Sequence, residues 1–121
     1  MPSSSPKAAA NQPDRRRRRY PRFRADFRVS ANYLVGNEYR KLQGHCRDLS
    51  EAGIGILLAA DLNSGDVVGL HFTLPGLNSA WEICGVVRFR HGYHYGFEFL
   101  ALAPEQQRLL KNFLKGLQRS D

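Results

Sequence analysis

Apolar and polar residues alternate along much of the chain from residue 27 onward. The first run places apolar side chains at every second position: Phe27, Val29, Ala31 and Tyr33. A period of two is that of a half-buried β-strand, and Gly36-Asn37 supplies the turn after it. Further segments of strand character follow at residues of about 40–47, 54–58, 67–74, 81–90 and 93–99. Because turn-forming residues separate these segments, the pattern predicts six short strands.

The pattern changes at Pro104, where helical spacing replaces the alternation. An apolar stripe follows at that spacing: Leu109, Leu110, Phe113, Leu114 and Leu117. Pro104 and Glu105 suit the first turn of such a helix. Six strands in close succession favour a small antiparallel barrel or sandwich over alternating β-α-β units, and a barrel leaves no exposed strand edge. We therefore predict an all-β barrel with one C-terminal helix packed against it.

Positive charge is concentrated in one short segment. The chain has 121 residues, enough for one domain, and its formal net charge is +7. Residues 15–28 contain eight arginines and one acid, Asp26, whereas the rest of the chain contains ten basic and ten acidic residues. All of the excess positive charge therefore lies in this segment. That distribution indicates a local site for an anion, and a solvated basic tail is the alternative.

Two local patterns carry groups suited to a phosphorylated purine. The first is the arginine run that ends at Arg22, and the second is Asp48-x-Ser50-x-x-Gly53. An arginine fork can meet the O6 and N7 edge of guanine, stack on its ring or neutralise a phosphate. Asp48 can accept hydrogen bonds from guanine or hold an arginine, Ser50 can donate to a phosphate oxygen, and Gly53 allows a close approach. Each pattern alone also fits a plainer role, either a solvated tail or a turn.

Together, Arg18-x-x-x-Arg22 and Asp48-x-Ser50-x-x-Gly53 resemble the RxxxR and (D/N)xSxxG signature of PilZ domains. The resemblance extends over residues 15–117, and residues 86–99 are similar to the final hairpin of that family. It implies a six-stranded antiparallel barrel that binds cyclic di-GMP without hydrolysing it, so we expect a receptor and not an enzyme. The implied ligand contacts are Arg18, Arg22, Asp48, Ser50 and Gly53, with no cofactor other than this ligand.

The position of the first motif is chosen by its distance from the first strand. Two other arginine pairs have the same spacing: Arg15/Arg19 and Arg24/Arg28. We choose Arg18/Arg22 because the family places the motif just before that strand. Arg17 then precedes the motif, and in the family an arginine there accompanies a stacked form of two ligand molecules. The resemblance therefore implies up to two cyclic di-GMP molecules per chain, with Arg17 as a further contact.

The predicted organisation has five parts: a disordered leader at 1–14, an arginine-rich ligand-binding arm at 15–24, a barrel at 25–100, a helix at 104–117 and a tail at 118–121. The resemblance implies a bacterial adaptor that orders its arm over the nucleotide and signals through altered contact with a downstream protein. No window holds the roughly 18 consecutive apolar residues of a membrane span, and the N-terminus lacks the apolar core of a secretory signal. We therefore expect a cytoplasmic location.

Other functions and sites are weighed against this hypothesis. The runner-up is a barrel with a basic arm that binds RNA or single-stranded DNA, and a third is an interaction module without a ligand.

His45, His91 and His94 lack metal-binding spacing, so we assign no metal and expect His45 and His94 to have little effect on binding. We find no catalytic set of nucleophile and base and no P-loop. The aromatic residues assigned to the core are Trp81, Tyr93, Tyr95, Phe97 and Phe99.

Overall fold

A closed antiparallel barrel of six strands, followed by one helix, forms residues 20–120, the part of the chain that the computed structural model describes. The elements are β1 (Phe23–Val35), β2 (Glu38–Leu49), β3 (Gly53–Leu57), β4 (Val67–Thr73), β5 (Ala80–His91), β6 (His94–Leu100) and α1 (Pro104–Leu114). The order around the barrel is β1-β2-β3-β6-β5-β4, and β4 closes it by pairing with residues 30–32 of β1. This architecture confirms the predicted fold class.

Inward-facing side chains fill the barrel in the manner that the alternating pattern predicts. The aliphatic positions of β1 and β3 are almost completely buried: Val29, Ala31, Ile54 and Ile56. Tyr95 on β6 is also fully buried. Its hydroxyl donates to the carbonyl oxygen of Ala60 at 2.6 Å and accepts from the amide of Leu62 at 3.0 Å. The polar end of this ring is therefore hydrogen-bonded inside the core, as a buried tyrosine requires.

Three register shifts interrupt the regular pairing, one between Arg24 and Phe27 of β1 and the others on β2 and β5. On β2 the register shifts between Cys46 and Asp48, so that Arg47 is an extra residue opposite β3. On β5 the corresponding extra residue is Arg88, which precedes Phe89. An extra residue reverses the face of the positions that follow it. Asp48 and Phe89 therefore lie on the outside of the barrel, and for Phe89 this departs from the inward position that the alternation predicts.

The aromatic core prediction is correct at four positions and wrong at one. Trp81, Tyr95, Phe97 and Phe99 are buried, whereas Tyr93 is 60% exposed. Tyr93 lies in the turn between β5 and β6, where Gly92 has a φ of 62° and reverses the chain. The turn carries the ring out of the barrel before the strand resumes.

The two cysteines occupy different environments. Cys46 is buried, Cys84 is exposed, and both are free thiols. Burial raises the pKa of the Cys46 thiol, and the nearby Asp48 carboxylate acts in the same direction. Cys46 is therefore held as a neutral thiol inside the barrel wall below the carboxylate.

The C-terminal helix leads directly back to the first strand. Leu110 and Leu114 belong to the same buried cluster as the barrel core. The helix ends at Leu114, and a tight turn follows in which the Leu117 amide donates to the Leu114 carbonyl oxygen at 3.1 Å. Residues 118–120 then run beside β1, where the Arg24 amide donates to the Gln118 carbonyl at 2.8 Å. The segment predicted as a tail is thus paired with the start of the barrel as far as residue 120.

Candidate ligand-binding site

An open cavity of about 980 Å³ lies on the outer surface of the barrel, beside the start of β1 and the end of β2. Its wall includes the predicted contacts Arg22 and Asp48, and it continues along β1 and β2 to further charged residues. Those further polar residues are Arg24, Asp26, His45 and Arg47. The wall also includes Leu57, Phe89, His94 and Leu117. A cavity lined by cations and by the rings of Phe89 and His94 suits a ligand that is both anionic and aromatic.

The floor of the site is a row of four residues that pair across four strands: Asp48 and Phe89 line the cavity, and two buried glycines lie beneath them. Asp48 on β2 is opposite Gly55 on β3, Gly55 is opposite Gly96 on β6, and Gly96 is opposite Phe89 on β5. A Cβ on Gly55 would lie 2.7 Å from an oxygen of the Asp48 carboxylate, and a Cβ on Gly96 would overlap the Phe89 ring. The two glycines therefore leave room for the carboxylate and the ring to lie against the barrel wall.

Arg22 lies between the two outer members of this row. Its Nη1 donates to Oδ1 of Asp48 at 2.7 Å, and its guanidinium carbon is 5.7 Å from the centroid of the Phe89 ring. The side chains of Arg22 and Asp48 are 22% and 17% exposed, so the ion pair is partly shielded from water. A charge-assisted bond on one side and a cation–π contact on the other fix the guanidinium above the floor.

Ser50 and Gly53 shape the turn that follows Asp48. The Ser50 hydroxyl oxygen accepts from the amides of Ala52 and Gly53, each at 3.1 Å, and Ser50 is only 6% exposed. A Cβ on Gly53 would collide with the carbonyl oxygen of Phe97 on the neighbouring strand. Neither residue is part of the cavity wall. In this structure they form the turn that begins β3 in the register that pairs Gly55 with Asp48.

The remaining predicted contacts, Arg17 and Arg18, lie outside the described residues, as do the leader and most of the arm. Gly55, Gly96 and Phe89 were not predicted as part of the site. An indication for the glycines was available, because each stands between two large apolar residues in the middle of a strand, where glycine often marks a close approach. The pairing of these glycines with each other was not visible, since it depends on the register of strands far apart in the sequence.

The histidines lie closer to the site than the sequence suggests. Both His45 and His94 contribute to the cavity wall. The His45 ring contacts the Asp26 carboxylate across β1 and β2. The His94 ring meets the Phe89 ring edge-on at 5.8 Å.

Residues 20–120 contain no group of three or more side chains placed to hold a metal ion. Over the same range, no helix is both long and apolar enough to cross a bilayer.

The fold is a small antiparallel barrel with an external cavity beside Arg22 and Asp48. The sequence pattern of the PilZ domain matches residues 16–116, which is most of the chain. The chain therefore belongs to the PilZ domain family. No curated protein is significantly similar to it in sequence.

Solved structures with the same fold have low sequence identity to this chain. The PilZ domain of YcgR from Escherichia coli with c-di-GMP is 21% identical, with a TM-score of 0.64, over 84% of this chain and 91% of that one. The inhibitor of motility MotI/DgrA from Bacillus subtilis is 23% identical, with a TM-score of 0.64, over 82% and 49%. The K. pneumonia MrkH–c-di-GMP complex is 19% identical, with a TM-score of 0.63, over 82% and 51%. This chain thus spans about half the length of MotI/DgrA and MrkH.

Proposed function

We propose that this protein is a receptor for cyclic di-GMP that binds the nucleotide without changing it. The observation that carries the proposal is the guanidinium of Arg22, held between the Asp48 carboxylate and the Phe89 ring above a floor of two glycines. Membership of the PilZ domain family supports it. Two structures of the same fold, those of YcgR and MrkH, are described as complexes with c-di-GMP.

Each residue of the site has a role that follows from its chemistry. The fork of Arg22 can meet the O6 and N7 atoms of guanine or the oxygens of a phosphate. The Asp48 carboxylate can accept from the N–H groups of a guanine edge while it keeps Arg22 in place. The Phe89 ring lies against Gly96 and supports the Arg22 guanidinium through a cation–π contact. Ser50 and Gly53 contribute by fixing the turn after Asp48.

The arginine-rich arm completes the proposed mechanism. Arg17 and Arg18 stand five and four residues before Arg22, so they are within reach of a ligand in the cavity. Their charges can neutralise the ligand phosphates, and these contacts offset the entropy lost when the arm orders over the nucleotide. In this proposal Arg17 holds a second ligand molecule. Once the arm has closed over the nucleotide, it presents a new surface to a downstream protein in the bacterial cytoplasm.

Substitution of the central ion pair tests the receptor function. Arg22→Ala or Asp48→Ala should weaken cyclic di-GMP binding about tenfold or more, because each removes a charge-assisted contact that contributes on the order of 1.5–3 kcal/mol. Isothermal titration calorimetry measures the affinity. Thermal unfolding should change little, since both side chains lie outside the core. Arg88→Ala is the matched control, because it removes an arginine from a 2.7 Å ion pair with Glu98 outside the cavity.

GTP and a short RNA serve as competing ligands in the same titrations. Selective binding of the cyclic dinucleotide, lost in the two site variants and kept in Arg88→Ala, is the expected result. Unchanged affinity in both site variants would contradict the assignment of the site. Binding that falls steeply with salt and does not distinguish between bases would instead indicate a nucleic-acid-binding barrel.

A further inference from the structure

The cavity contains two more guanidinium groups that the proposed contacts do not use, those of Arg24 and Arg47. Both side chains are exposed, and neither forms an ion pair or side-chain hydrogen bond with another part of the chain between residues 20 and 120. The two carboxylates of the cavity are already engaged: Asp48 by Arg22, and Asp26 by His45. The cavity therefore keeps positive charge that its own acids do not neutralise.

The strand register explains why these two arginines share a face with Asp48. Arg24 is directly opposite Asp48 in the antiparallel pair of β1 and β2, and residues in that relation point to the same side. Arg47 is the extra residue of the bulge on β2. In a regular strand Arg47 and Asp48 would point to opposite faces, but the bulge places both on the outside. Arg24 and Arg47 consequently flank Asp48 along the rim of the cavity.

We propose that Arg24 and Arg47 form a second anion subsite, which binds a phosphodiester phosphate of a cyclic dinucleotide. This inference rests on the proposed function and extends it to two residues outside both sequence motifs. Two exposed like charges on adjacent strands repel each other, and a phosphate between them removes that repulsion while accepting hydrogen bonds from both. Asp26 opposes an anion at this rim, and its carboxylate contacts His45 on the neighbouring strand.

The phosphate has two potential sources, and both have the same chemistry. It is either the second phosphate of the nucleotide bound at Arg22 or a phosphate of a second nucleotide molecule. In either arrangement the phosphate lies at the rim of the same open cavity of about 980 Å³. The two sources differ in stoichiometry: loss of the subsite lowers the affinity at a constant ratio in the first case, and lowers the ratio of ligand to chain in the second.

The test compares Arg24→Gln, Arg47→Gln and the double variant with Arg28→Gln. Arg28 is an exposed arginine on β1 that does not contribute to the cavity wall, so its replacement removes the same charge from the same strand. Calorimetric titration with cyclic di-GMP at several salt concentrations measures affinity and stoichiometry. We expect the double variant to lose about tenfold in affinity, or to bind close to half as many nucleotides. Its affinity should also depend less on salt than that of Arg28→Gln.

The controls separate failure of the subsite from failure of the receptor function. If the double variant binds like Arg28→Gln while Arg22→Ala loses binding, the subsite is wrong and the receptor function stands. If the unsubstituted protein does not bind cyclic di-GMP, both are wrong. If a short RNA binds and all of the arginine variants weaken it equally, the surface is a diffuse one for nucleic acid and the subsite is also wrong. Thermal unfolding of each variant confirms that it remains folded.

Discussion

Gly53 and Gly55 stand two positions apart in β3, yet an added methyl group would meet very different atoms at each. At Gly53 it would collide with the backbone carbonyl of Phe97, which the sheet holds in place. At Gly55 it would lie 2.7–2.9 Å from the carboxylate atoms of Asp48, which is a side chain and can rotate away. Gly53 is therefore needed for the close packing of β3 against β6, and Gly55 leaves room for the Asp48 carboxylate of the site.

This contrast predicts different outcomes for two alanine substitutions. Gly53→Ala should lower the free energy of unfolding by about 1–3 kcal/mol, the usual range for a forced overlap in a packed structure. Gly55→Ala should displace the Asp48 carboxylate from Arg22 and weaken cyclic di-GMP binding about tenfold, with a much smaller change in unfolding. Denaturant titration and calorimetry measure the two effects. Tight binding by folded Gly55→Ala would show that the position of the carboxylate above the floor is not needed.

The residues of the site differ in how far the sequence could identify them. Arg22 and Asp48 were predicted because charged groups stand at a recognisable spacing in each of two short segments, and the structure brings them together at 2.7 Å. Phe89 was not predicted as part of the site, because simple alternation within residues 81–90 places it on the inward face of Val87. The bulge that turns it outward depends on how β5 pairs with β6, and a single strand does not show that pairing.

At the scale of elements, the number and type of strands were predictable because each strand has its own apolar period. The helix was predictable for the same reason. The contact between the end of the chain and the start of β1 was not, because residues 118–120 have no apolar pattern that requires them to pack. Two backbone hydrogen bonds place this segment, and backbone groups are the same in every sequence.

The C-terminal segment lies where it can position Arg22. The amide of Ser120 donates to the carbonyl oxygen of Arg22 at 2.9 Å, and Leu117 and Ser120 both contribute to the cavity wall. Ser120→Pro removes the N–H donor and should weaken cyclic di-GMP binding about fivefold, since the backbone of Arg22 loses one of its supports. The barrel should unfold at the same denaturant concentration, because this bond lies outside the core.

Ser120→Ala is the matched control for this prediction. It removes the hydroxyl group but keeps the amide, so it should bind the nucleotide like the unsubstituted protein. If Ser120→Ala weakens binding as much as Ser120→Pro, the side chain is responsible and the backbone bond is not. If neither variant changes the affinity, the C-terminal segment does not position Arg22.

At the scale of the whole molecule, charge and architecture point to the same end of the barrel. The excess of +7 lies within residues 15–28, which lead into β1 and the cavity. Elsewhere on the described surface, several arginines are paired with acids, as in Arg88 with Glu98 and Arg90 with Asp61. The opposite charges of each pair largely cancel at a distance, so an approaching anion is attracted mainly to the cavity. In the proposed mechanism the barrel provides a fixed wall, and closure of the arm brings further charge to it.

The proposed roles of the barrel as a fixed wall and of the arm as a closing segment predict where ligand binding changes amide hydrogen exchange. Addition of cyclic di-GMP should slow amide exchange in residues 17–24, because Arg17 and Arg18 gain phosphate partners, and to a smaller extent in residues 117–120, which adjoin the cavity. β4 contributes no residue to the cavity wall and serves as the internal control. Mass spectrometry of the exchanged peptides measures each segment. An arm that exchanges equally slowly with and without the nucleotide, or that stays unprotected at saturation, would contradict closure of the arm even if Arg22 and Asp48 proved necessary for binding.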